Sequence, residues 1–114
     1  MNEAEAALIR RRIEDMRASL RTASARAAES RAPVQLDQTS VGRLSRIDAI
    51  QAQSMALAAE RRRAIELARI EQALTRLAAG TYGICVKCDE PIEPRRLALD
   101  PTIPICLACA RDRA

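Results

Sequence analysis

Between Asn2 and about Ala32 the chain has neither proline nor glycine, and Ile9, Ile13, Met16, Leu20, Ala23 and Ala27 recur at alternating spacings of four and three. That alternation is the apolar seam of a helix. The opposite face carries Arg10, Arg12, Glu14, Arg17, Arg21 and Arg26, with acidic residues concentrated early and arginines later, as the helix dipole favours. At about 1.5 Å per residue the segment makes a rod of roughly 43 Å, whose seam needs a partner. Pro33 stops it, because the residue before a proline avoids helical geometry and the ring cannot extend the hydrogen-bond ladder.

A second pattern, from about Gln38 to Ala79, carries Ile47, Ile50, Leu57, Ala64, Leu67, Ile70, Leu74 and Leu77 as an apolar stripe with some drift. Asp37 is placed to cap this helix, Gly42 weakens its start, and Gly80 is its expected stop. The helix has an alternative start near Ser45 with a longer tip loop. So short a connection makes two long helices run antiparallel. The predicted fold is mostly α: a long antiparallel helical hairpin, or coiled coil, over residues 1–79, with a tip near 33–48. A smaller module with a C-terminal helix follows over residues 80–114.

Composition agrees with rods rather than a globule. Among the 114 residues Tyr82 is the one aromatic side chain, so no sizeable central core is expected. Nothing approaches a membrane-spanning apolar run or a signal region, and a cytoplasmic location is expected.

The strongest chemical signal is a pair of Cys-x-x-Cys knuckles, Cys85 with Cys88 and Cys106 with Cys109, separated by seventeen residues. Two residues between thiolates let both sulfurs of a tight turn face one metal ion, and the spacing fits tetrahedral zinc. The chain has no histidine, so only a four-thiolate site is available. Four protein ligands leave no open position for water or substrate, which makes the zinc structural. Gly83 and Pro91 suit the sharp turn of the first knuckle, and Pro101 and Pro104 precede the second. Two disulfides, or buried free thiols, are the alternative; disulfides are rare in the cytosol.

The formal charge of +4 falls to about +2 once four thiolates hold one zinc(II), so it is weak support for nucleic-acid binding. Fifteen acidic residues intersperse nineteen basic ones, and runs such as Glu60-Arg61-Arg62-Arg63 suit a solvated helix face. At the tip, Val34, Leu36, Val41 and Leu44 sit among Asp37, Arg43, Arg46 and Asp48. A turn alone needs no such mixture, and it points to a contact site. The absence of histidine, with the cysteines committed to metal and no carboxylate pair or phosphate loop, argues against an enzyme.

Gly80-Thr81-Tyr82-Gly83-Ile84-Cys85, Cys88, Pro91-Ile92, Arg95-Arg96-Leu97, Pro101-Thr102 and the Cys106/Cys109 knuckle resemble the zinc finger of the DksA/TraR family. The stretch from Leu36 to Ala49 is similar to the tip of a shorter, DksA-like branch. The resemblance implies a monomeric transcription regulator that binds bacterial RNA polymerase rather than DNA. Its coiled coil would enter the secondary channel, and Asp37, Gln38, Arg43, Arg46 and Asp48 are the tip candidates for polymerase contact. Longer members carry an Asp-x-x-Asp-Arg-Ala tip, which is absent here; Arg46-Ile47-Asp48-Ala49 is its local echo. Longer members also work with ppGpp. Of three basic positions they use, one falls on Arg69 but two fall on Asp100 and Ala110, which disfavours ppGpp as a co-regulator through those contacts. A zinc-ribbon nucleic-acid-binding protein and a passive oligomerisation hairpin are the competing readings.

Overall fold

The computed structural model describes residues 1–32 and 43–112, with the side chains of residues 43 and 44 left out. Among the described residues five helices follow in order: α1 (Glu3–Arg26), α2 (Ala28–Arg31), α3 (Arg43–Ala79), α4 (Pro94–Leu99) and α5 (Leu107–Arg111). The expected start of the second long helix at Gln38 lies outside the described residues. Among the described helices none is long and apolar enough to cross a membrane.

Each long helix is ended by local chemistry. Asn2 begins α1 by accepting the Glu5 amide on its Oδ1 at 2.8 Å, while its amide group donates to the Glu5 carboxylate at 3.4 Å. This is a reciprocal capping arrangement. At the end of α3 the Thr81 amide reaches the Arg76 carbonyl at 2.9 Å and the Gly80 amide reaches that of Leu77 at 3.3 Å. Those two bonds define a Schellman stop, and Gly80, at φ +77°, supplies its left-handed residue.

The chain divides into two compact units, one made of residues 1–18 and 66–114, the other of residues 19–65. In the first, Ile13, Ile70, Ala73 and Leu77 are buried where α1 meets α3, and Arg17 donates to Glu71 at 2.9 Å. A second buried group, Cys85, Ile92, Ile105 and Cys106, is flanked by Leu97, Ile103, Cys109 and Ala110. The Arg12 guanidinium donates to the Ala98 carbonyl at 2.9 Å, and the buried Tyr82 hydroxyl to that of Pro101 at 2.7 Å.

In the second unit the helices run antiparallel, since Ser24 meets Glu60 whereas Ala32, further along, meets Gln53. Two details of the pattern are corrected here. The first helix does not continue to Ala32: it breaks at Ala27, where φ −88° and ψ 2° leave the helical well. Ser30 then bonds back only three residues, to the Ala27 carbonyl at 3.1 Å, and the Arg31 guanidinium takes up the Ser24 carbonyl at 2.8 Å.

The expected stripe also fails over the first half of α3. Ile47, Ile50 and Leu57 are 44%, 46% and 39% exposed, and Ala64 is exposed too. Gln53, Ala56, Glu60 and Arg63 turn inward instead, in the three–four phase that continues through Leu67, Ile70, Leu74 and Leu77. On α1 the same shift leaves Ala23 exposed and brings Ser24 in.

The inward positions are tolerated because they satisfy one another. Ser24 Oγ donates to Glu60 Oε1 at 2.6 Å, Arg31 Nη1 to Oε2 at 3.1 Å, and Arg63 Nε to Oε2 at 3.0 Å. Gln53 Nε2 closes the set on the Ala32 carbonyl at 2.6 Å. A polar layer so paired can occupy a helix seam that apolar residues would otherwise fill; Arg63 Nη2, which has no hydrogen bond, is held by its ion pair with Glu60 Oε2 at 2.9 Å.

Candidate metal centre

The first knuckle is built by backbone bonds across a short antiparallel bridge between Ile84 and Pro91. The Cys85 amide donates to the Glu90 carbonyl at 2.8 Å, and the Ile92 amide to that of Gly83 at 2.8 Å. Gly83 holds φ +83°, which a side chain would strain, and Asp89 turns the chain at φ 62° just after Cys88. The Val86 amide crosses to the Pro104 carbonyl at 3.0 Å and joins the first knuckle to the segment leading into the second.

The four sulfurs lie within 4.8 Å of one another, with Cys85 to Cys109 at 3.6 Å and Cys88 to Cys106 at 3.7 Å. Four sulfurs about 2.3 Å from a central ion sit roughly 3.8 Å apart on a tetrahedron, so the set has the dimensions of a zinc site. All four are free thiols, which removes the disulfide reading.

Their titration points the same way. Burial raises the Cys85 thiol, but the amides of Cys106, Cys88 and Lys87 outweigh it and bring the value to about 6. Hydrogen bonding with Cys106 and then Cys85 pushes Cys109 up to about 12. Cys85 gives up its proton readily while Cys109 holds its own, and a cation among the sulfurs would favour the thiolate form of both. Zinc(II) supplies that charge and leaves no coordination site for chemistry.

Residues outside the knuckles hold them in place. Glu93 accepts the Leu107 amide at 3.1 Å and so fixes the first turn of α5, which carries Cys109. Its own amide, and then that of Leu107, holds its carboxyl below the usual range. Asp100 Oδ1 accepts both the amide and the hydroxyl of buried Thr102, at 3.0 and 2.8 Å. Arg96 Nε donates to the Ile105 carbonyl at 3.0 Å beside Cys106. Glu93 carried no sequence signal of its own, because it acts on Leu107, fourteen residues away, which only the folded knuckles bring near.

Among the described tip candidates, none is a member of this cluster. Asp37 and Gln38 lie outside the described residues, Arg43 opens α3, Arg46 is half-buried and Asp48 is exposed.

Residues 80–113 match the family described as the prokaryotic dksA/traR C4-type zinc finger. A 46-residue stretch is 41% identical to an uncharacterized protein of Aquifex aeolicus (strain VF5); it covers 40% of this chain and about a third, 32%, of that protein. The fold is similar to that of transcription factor DksA2 from Pseudomonas aeruginosa, with a TM-score of 0.82 and 28% identity. That likeness covers 99% of this chain and 85% of the other. The four-cysteine site, the finger match and the near-complete structural likeness together make this a protein of DksA-like fold that carries a DksA/TraR C4-type zinc finger over residues 80–113.

Proposed function

We propose that the chain is a DksA-like transcription regulator that binds bacterial RNA polymerase and inserts its hairpin tip into the secondary channel to modulate initiation. It works in the cytoplasm, as a monomer and without catalysis of its own. The observations that carry this reading are the likeness to DksA2 across 99% of the chain and the match of residues 80–113 to the C4-type zinc finger. The disposition of arginines supports a protein partner over DNA. Arg31 and Arg63 are paired with Glu60 and Arg17 with Glu71, so they are not offered to phosphate.

Asp37, Gln38, Arg43, Arg46 and Asp48 are the side chains proposed to meet polymerase near its catalytic centre. ppGpp is disfavoured as a co-regulator through the contacts that longer members use. The 310 Å³ cleft that carries Arg69 also carries Glu66 and Asp100, whose carboxylates disfavour a polyanionic nucleotide.

The test is binding of the zinc-loaded protein to bacterial core RNA polymerase, with a competitor known to occupy the secondary channel. Mutual displacement is the expected result. No binding at micromolar protein would reduce the likeness to one of fold alone.

A further inference from the structure

Every buried apolar residue among the described ones, from Ile13 to Cys106, belongs to residues 1–18 or 66–114; residues 19–65 bury none. Hydrogen bonds and ion pairs hold that unit instead, and α2 is its extreme case. Ala28, Glu29 and Ser30 are exposed, so α2 turns no apolar side chain into the seam. It is tied down only near its end. Arg31 Nη1 donates to the Ser24 carbonyl at 2.8 Å and to Glu60 Oε2 at 3.1 Å, and Gln53 Nε2 donates to the Ala32 carbonyl at 2.6 Å. Glu60 is the shared point, since the same carboxylate also accepts from Ser24 of α1 and Arg63 of α3.

Between these ties and the body of α3 there is open space. A cleft of about 530 Å³ has Glu29, Ser30 and Ala32 on one side and Ala49, Ala52, Gln53 and Ala56 on the other. Three alanines stand where larger side chains would fill the gap, so α2 spans the cleft rather than packing into it. At its other end α2 has a hinge. Ala27, at φ −88° and ψ 2°, lies in the bridge region, and the bond from Ser30 to its carbonyl spans only three residues. A few dihedral angles there let α2 swing while α1 keeps its own hydrogen bonds. Release costs the polar ties and uncovers no buried apolar surface, the condition under which a segment opens by itself before the rest of a fold.

We propose that α2 is a hinged strap, latched to α3 through Arg31 and Glu60 and released about Ala27 while the apolar packing of residues 1–18 and 66–79 stays closed. The strap runs into Ala32, from which the chain enters the segment that carries Asp37 and Gln38, so the latch holds the root of that segment. No partner is needed for the strap to open.

Millisecond hydrogen–deuterium exchange on the full, zinc-loaded chain compares the parent with Arg31→Met, Arg31→Lys and Glu60→Gln. Methionine keeps an apolar stem and removes both bonds of the guanidinium; lysine keeps the charge on a differently shaped head. Residues 27–32 are expected to exchange about ten-fold faster in Arg31→Met and Glu60→Gln, with Arg31→Lys in between, and residues 3–18 and 66–79 at the parent rate. Unchanged exchange over 27–32 in all three variants would overturn the latch. An equal rise over 3–18 and 66–79 would overturn separate opening, because the ties would then be holding the whole fold. Ala52→Leu works in the opposite sense. It places apolar surface in the cleft under α2 and is expected to slow exchange over 27–32; exchange there that is unchanged or faster would overturn the picture of a strap held off α3.

Discussion

Gly80 and Glu60 show how much a single residue decides. Gly80 holds a left-handed conformation with open space around its Cβ position, so replacing it with alanine introduces backbone strain and no clash. Gly80→Ala should cost about 1 kcal/mol, read as a shift in the denaturation midpoint with an unchanged slope. Glu60 lies under the hydroxyl of Ser24 and beside the guanidinium groups of Arg63 and Arg31, which lower its pKa from 4.5. A depressed carboxyl stabilises the fold above its unfolded pKa and loses that contribution as pH falls through the folded value. Glu60→Gln should therefore lower the melting temperature at pH 7, and the gap from the parent should close as pH drops below the ordinary carboxylate range. A gap independent of pH would show that the carboxylate charge is not what matters there.

At the scale of elements, the zinc-binding segment depends on its metal. α4 and α5 have six and five residues, too few to be stable alone, and the cluster that anchors them includes two of the ligands. Chelation, or Cys85→Ser, should unfold this segment while most helical signal from α1 and α3 remains, and circular dichroism with a proteolysis time course would follow it. Helicity and protease resistance unchanged by both treatments would count against a structural ion. The long helices were legible from runs free of proline and glycine and, for α3, from the stop at Gly80. The break at Ala27 was not, because Ala27 is a good helix former and the bond from Arg31 to the Ser24 carbonyl arises from side-chain placement.

For the whole molecule, the proposed regulator separates anchoring from effect. Asp37→Asn and Asp48→Asn should preserve polymerase binding and reduce the change in open-complex lifetime or transcript yield, with the double variant lowest. At Asp37 the fold should lose no more than the roughly 1 kcal/mol of a helix cap. Full transcriptional effect in the double variant would remove the acidic tip from the mechanism.

The sequence by itself determined the fold class, the metal and its ligands. Proline and glycine stops are local, and a Cys-x-x-Cys turn aims both sulfurs one way wherever it folds. The tertiary structure alone decided which face of α3 is inside. Ile47, Ile50 and Leu57 look like core by hydrophobicity, yet they stay exposed while Gln53, Glu60 and Arg63 turn in. The physical reason is pairing: Ser24, Arg31 and Arg63 converge on one carboxylate only when distant parts of the chain meet, and no count of apolar positions along one helix contains that information.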